Sequence, residues 1–136
     1  MIVLHADSNN PLLIKKLQKV GYHNIEAYHV SKEEILANQH LYDGIIIRSR
    51  FKIDKAFIDA APNLKFIARV GAGLESIDVE YAKKNGIELF AAPEGNSNAV
   101  GEHALGMLLS LLNKLNKANR EVHQGYWYRE DNRGIE

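Results

Sequence analysis

The 136 residues contain no cysteine, only three prolines and a single tryptophan. Without cysteine there can be no disulfide, no thiolate nucleophile and no thiolate-bound metal. Neither sign of charge is in excess, with 17 Lys and Arg against 17 Asp and Glu. No global field therefore draws the chain to nucleic acid or to an anionic membrane surface. No apolar run approaches the roughly 18 residues of a membrane span. The opening residues MIVLHAD lack the basic flank and small-residue cleavage site of a signal peptide, so a cytoplasmic location is expected. Six histidines are spread without metal-ligand spacing, and no metal site is expected.

What is present is an ordinary soluble composition of one domain's length, in which β-rich runs and helical patterns alternate from the first residue. MIVLHA reads as a strand, and NNPLLIKKLQKVG as a helix stopped by Gly21. NIEAYHV reads as a second strand, and SKEEILANQ as a helix opened by the capping pair Ser31 and Glu34. DGIIIRS is a third strand whose unbroken apolar run implies burial on both faces. DKAFIDAA, LKFIARV, DVEYAKKNG and IELFAA continue as helix, strand, helix and strand. Five strands separated by helices predict an α/β fold, a doubly wound, flavodoxin-like parallel sheet with right-handed crossovers. Residues 1–97 form that domain. Residues 98–125 read as one long helix, and 126–136 as a polar tail. A helix of ~25 residues would span about 37 Å. Val100, Ala104, Leu108, Leu111, Leu115, Ala118 and Val122 make one apolar stripe along it, and Leu105, Leu109 and Leu112 a second. One stripe can dock on its own domain, but the other would face water in a monomer. The segment is therefore expected to be the interface of a homodimer.

Ligands of open parallel sheets bind beyond the carboxyl ends of the strands, where strand order reverses. With the order 2-1-3-4-5, the segments at that rim are ADSNNP, RSRF and VGAG. Arg48, Ser49, Arg50 and the Gly71–Gly73 backbone then meet, and guanidinium and free N–H groups suit carboxylate or phosphate oxygens. The topology equally permits a plain reading, in which the arginines are strand-end surface residues and the glycines make a turn. A dinucleotide fingerprint is incomplete here. Ser76 stands where the third glycine of G-x-G-x-x-G belongs, and the next helix begins only near Asp78. A receiver domain is argued against by Arg48 and Ser49, which stand where a phospho-accepting aspartate would be needed. His103 beside Glu102 is not an acid–base pair, since helix neighbours point in different directions.

The stretch from IIIRSRFKID through RVGAGLESID and KKNGIELFAAPEGNSNAVGEHALGMLLSLL resembles the D-isomer-specific 2-hydroxyacid dehydrogenases. R-S, G-x-G-x-x-x-I-D, N-G-I and N-x-x-x-V-x-E-H occur in that family's order and spacing, over about half the chain. The resemblance implies a substrate domain into which an NAD-binding domain is inserted. It implies a substrate cleft containing Arg48 and Ser49, with Arg50 the candidate for a substrate phosphate. The backbone of Val70, Gly71 and Gly73 would hold the carboxylate of a small 2-hydroxy or 2-oxo acid. Ala72 and Val100 match positions on the nicotinamide side, and Asn96 and Ser97 the crossing between domains. Some relatives carry threonine at the Ala72 position, so a hydroxyl contact there is lost. The family's glycine fingerprint, catalytic arginine, histidine and its carboxylate partner map onto no residue here. The expectation is the acid-binding part of an NAD-dependent oxidoreductase, inactive alone and binding no NAD alone. A stand-alone anion-binding or regulatory module is the alternative.

Overall fold

The computed structural model describes residues Met1–Ile135, which divide into two compact units at Gly95 and Asn96. The first unit carries the sheet. Its strands are β1 (Ile2–His5), β2 (His23–Glu26), β3 (Gly44–Ile47), β4 (Phe66–Arg69) and β5 (Glu88–Phe90). All pair in parallel, in the order β2-β1-β3-β4-β5. Four helices connect them: α1 (Pro11–Lys19), α2 (Lys32–Ala37), α3 (Lys55–Asp59) and α4 (Val79–Lys84). The predicted doubly wound architecture is the one observed.

Local signals set the helix ends. Pro11 opens α1 behind Asn10, whose side chain accepts from the Leu12 N–H. Ser31 and Glu34 form the reciprocal capping box of α2, with bonds of 3.1 and 3.2 Å. Asp54 and Asp78 cap α3 and α4 through the N–H groups of Phe57 and Tyr81. Strand β2 is shorter than its apolar pattern suggests. It stops at Glu26, because Ala27 turns the chain and its carbonyl accepts from the Val30 N–H.

Register explains the core. Leu4, Ile45, Ile67 and Leu89 are aligned across β1, β3, β4 and β5, and they line the face that buries Ile35, Phe57, Ile58, Ile77 and Ala82. Val3, Gly44 and Phe66 form the adjacent row on the opposite face. A Cβ at Gly44 would lie 2.2 Å from the Phe66 ring, so that row closes only around glycine. All four residues of β3 are buried, as a doubly covered central strand requires.

At the amino ends of the strands, Asp43 joins three of them. Its carboxylate accepts from the Ile2 N–H at 2.8 Å and from Lys65 Nζ at 2.7 Å, while its own N–H donates to the Ile2 carbonyl. The Lys65 hydrogen bond, then that from the Ile2 N–H, holds the Asp43 carboxyl below its ordinary 3.8.

The second unit begins at Asn96. It holds α5 (Ser97–Leu112) and α6 (Leu115–His123), not the single predicted helix. Asn113 ends α5, its side-chain amide donating to the Leu109 carbonyl at 3.0 Å, and Lys114 takes a left-handed conformation with φ of 53°. An asparagine side chain that competes for backbone groups stops a helix without proline or glycine. The predicted stripe is therefore interrupted, and Leu115, Ala118 and Val122 belong to a separate helix. The tail also bonds back to these two helices. The Asp131 carbonyl accepts from Lys114 Nζ, Asn132 donates to Glu121, and the Ile135 N–H donates to the Leu112 carbonyl.

Asp43 supplies a pH test. Ionised Asp43 favours the folded state, so its contribution is complete above the unfolded carboxyl value. It is lost as pH falls through the lower folded value. Asp43→Asn should lower the urea midpoint at pH 6, and the midpoint should then fall less than the wild type's between pH 5 and pH 3. Parallel acid limbs for the two proteins would contradict this.

Candidate anion-binding site

The carboxyl ends of β1, β3 and β4 meet where strand order reverses, and hydrogen bonds tie their exits together. The Ala6 N–H donates to the Ile46 carbonyl and the Val70 N–H to the Ile47 carbonyl, both at 2.8 Å. The Arg48 N–H donates to the Asp7 carboxylate at 2.6 Å. Further out, Ile53 and Ile77 form an isolated parallel bridge. The Ile53 N–H donates to Ser76 and the Asp78 N–H to Ile53. The loops after β3 and β4 are thus fastened at both ends. The Gly71 carbonyl, accepting from the Ala92 N–H at 2.9 Å, brings in the segment after β5.

The three residues of the Arg-Ser-Arg segment differ in what they can offer. Arg48 and Ser49 are exposed, and no side-chain partner is found for either among the described residues. Arg50 is turned inward. Its Nη1 donates to the carbonyls of Ala6 and Ala27, and its Nη2 to that of Val30, over 2.5 to 2.8 Å. The guanidinium expected to meet a substrate phosphate is instead occupied by three backbone carbonyls at the ends of β1 and β2 and before α2. The likeness of Arg48 and Arg50 as letters concealed opposite environments.

The glycine loop also differs in detail from expectation. The Val70 N–H is spent on Ile47, and that of Gly71 donates to the Arg69 carbonyl at 3.0 Å. Gly73 keeps its donor, and so does Ala72. Among the described residues neither N–H has an intramolecular partner. Two adjacent free amides can receive the oxygens of one carboxylate. A Cβ on Gly73 would collide with the Glu75 carboxylate, so an acidic group already lies against this loop.

Two residues at the rim were not singled out from the sequence. Asp7 follows β1 and orients Arg48. Arg69 ends β4, and its Nε donates to the Arg48 carbonyl at 3.1 Å. The only sequence signal for either was its place at a strand end facing the switch point. Val100, Asn96 and Ser97 belong to the second unit, where Val100 is exposed and its N–H donates to the Asn96 carbonyl.

The loop does not fit a dinucleotide pyrophosphate. It is followed by the Ile53–Ile77 bridge, not by a helix, and α4 starts at Val79 with its first turn already capped by Asp78. Among the described residues of the first unit, no helix N-terminus directly follows Gly71–Gly73, which removes the dipole and N–H groups that the fingerprint would supply to such a phosphate.

The doubly wound parallel sheet defines an α/β domain of the flavodoxin-like class. The chain belongs to the D-isomer specific 2-hydroxyacid dehydrogenase family, whose catalytic-domain model matches residues 2–132. It is 36% identical over 136 residues to the D-3-phosphoglycerate dehydrogenase of Archaeoglobus fulgidus, covering all of this chain and 26% of that protein. Among solved structures it is similar to a protein from Pyrococcus horikoshii, with a TM-score of 0.84 and 28% identity over 93% of this chain and 38% of the other. It is also similar to the NAD+-bound 3-phosphoglycerate dehydrogenase of Entamoeba histolytica, with a TM-score of 0.64 and 31% identity over 84% of this chain and 40% of that one. The chain spans about a quarter of the length of the curated relatives it matches.

The two arginines give contrasting expectations. Arg50→Ala strands three carbonyls and should cost about 2–4 kcal/mol of unfolding free energy, whereas exposed Arg48→Ala should cost less than about 0.5 kcal/mol. Urea unfolding of both variants checks this, and equal losses would contradict the inward role of Arg50.

Proposed function

We propose that the whole protein oxidises a D-2-hydroxy acid to the 2-oxo acid with NAD as hydride acceptor, D-3-phosphoglycerate being the favoured substrate. This chain supplies the acid-binding side of the cleft. The observation that carries the reading is the pair of free amides at Ala72 and Gly73 in the loop after β4, with exposed Arg48 following β3 at the same switch point of the sheet. In the reaction the hydrogen on the substrate's C2 leaves as hydride and the hydroxyl proton passes to a base. NAD supplies the hydride acceptor. The residues of this chain bind and orient the carboxylate, so that C2 is held in one position while the hydride departs. The amides of Ala72 and Gly73 take the carboxylate oxygens, Arg48 and Ser49 close one side, and Asp7 holds the Arg48 backbone in place. Val70 and Gly71 shape the loop with their own hydrogen bonds. A module that binds anions without catalysis is less well supported, since the family match runs through nearly the whole chain.

NAD binding falls outside this chain's share of the work, because the glycine loop lacks a helix to face a pyrophosphate. Titrating the 136-residue chain with D-glycerate should shift the Ala72 and Gly73 amide resonances first, with a dissociation constant in the millimolar range because the rim is wet. Calorimetry with NAD should detect no binding. A micromolar constant for NAD, or glycerate shifts confined to the amino ends of the strands, would overturn the assignment.

We further propose that the chain forms a homodimer through α5. Val100, Leu105, Met107, Leu108, Leu109 and Leu111 are all exposed, and Leu111 is 75% exposed. So much apolar surface on one 16-residue helix is uncommon for a soluble monomer, and a second copy of the same helix is a matching cover. Sedimentation equilibrium should show a dimer at micromolar concentration, dissociated by Leu108→Glu. A monomer at high micromolar concentration would contradict it.

A further inference from the structure

We propose that Asn9 is a hydrogen-bond switch that passes the protonation state of the buried His5 to Asp7 and Arg48 at the rim. The first ground is that the His5 ring carries its hydrogen on a defined nitrogen. His5 ends β1 with no exposed surface, and its Nε2 lies 2.7 Å from Asn24 Oδ1. The Asn24 amide cannot be turned round, because its Nδ2 donates to the Tyr22 carbonyl at 3.1 Å. Its Oδ1 only accepts, so His5 Nε2 carries the hydrogen and Nδ1 is left as a bare acceptor.

The second ground is how Asn9 meets that acceptor. Asn9 Nδ2 faces His5 Nδ1 at 3.4 Å and donates to the Asp7 carbonyl at 2.8 Å, so both amide hydrogens are engaged. Asn9 Oδ1 is buried and has no partner among the described residues. An unmade bond on a buried acceptor costs free energy, and protonation of His5 removes that cost. With a hydrogen on each ring nitrogen, Nδ1 and Asn9 Nδ2 become two donors face to face. Half a turn of the Asn9 amide replaces this clash by a bond from Nδ1–H to Oδ1. The same turn releases the Asp7 carbonyl. The Asp7 carboxylate holds the Arg48 N–H at 2.6 Å, so a change in the Asp7 turn reaches the first residue after β3.

The charged groups around the ring leave this task to Asn9. Glu26 pairs with His5 across the β1–β2 ladder, but it is exposed and is engaged by the Tyr28 hydroxyl. The residue in register on β3 is the apolar Ile46. Arg50 donates to the Ala6 carbonyl, one residue beyond His5, and its charge opposes a second cation. On α1, Lys15, Lys16 and Lys19 are all exposed.

Nitrogen-15 NMR of the histidine rings and backbone amides of the 136-residue chain tests the switch from about pH 8 to pH 5, where histidine changes charge. No ligand is added, so the result does not depend on the carboxylate reading. At the upper end the His5 ring should carry its hydrogen on Nε2. As the ring titrates, the Asn9 side-chain and Arg48 backbone resonances should move on the same curve. Protection of the Arg48 amide from solvent exchange should fall about fivefold over that curve. Asn9→Ala should leave the His5 titration in place and uncouple the Arg48 amide from it. His5→Gln should leave that amide unmoved across the range. A wild-type Arg48 amide that ignores the His5 titration, a ring hydrogen on Nδ1, or a ring still neutral at pH 5 would each overturn the proposal. Should either variant fail to fold, the wild-type titration decides by itself.

Discussion

Strand β3 is buried on both faces and paired along both edges, and that constraint shapes everything at the rim. Its residues Gly44 to Ile47 offer no polar side chain, so beyond the backbone ladders the polar contacts of this central strand are made where it enters and leaves the sheet. At the entry, Asp43 gathers β1 and β4. At the exit, Arg48, Ser49 and Arg50 emerge together among the ends of β1 and β4. The chain must then satisfy several carbonyls that have left the ladder, and it does so with a guanidinium.

The inward turn of Arg50 follows from this. Carbonyls of Ala6, Ala27 and Val30 converge above the sheet, and a cation with several donors in one plane meets all three at little strain. The remaining cations of the rim are left free of carboxylates. The same local geometry that consumes the amides of Val70 and Gly71 leaves those of Ala72 and Gly73 directed elsewhere. Spent and free donors are therefore divided between adjacent residues of the same loops.

The second unit follows a different logic. In α5 apolar residues occupy most of the circumference and almost none is covered by its own chain. In α6 the apolar residues are fewer, and Ala118 and Val122 line a hollow of about 190 Å³ with Tyr126, Trp127 and Tyr128. The turn at Asn113 and Lys114 separates these two surfaces. Because Lys114 is also bonded to the Asp131 carbonyl, the turn and the returning tail support each other.

The sequence by itself determined the order and type of the elements of the first unit, the capping of α2, the start of α4 and the location of the rim. Those features depend on side chains within a turn or two of one another, or on the period of burial, and both are visible in a string of letters. Only the tertiary structure decided which arginine faces inward, because the carbonyls that hold Arg50 lie 20, 23 and 44 residues away. It likewise decided which amides of the glycine loop remain free, since the Val70 donor is taken by a strand whose register is set by packing. The end of α5 lay between the two cases. Asn113 was present in the sequence, but its side chain stops the helix only where the backbone beyond it finds other partners.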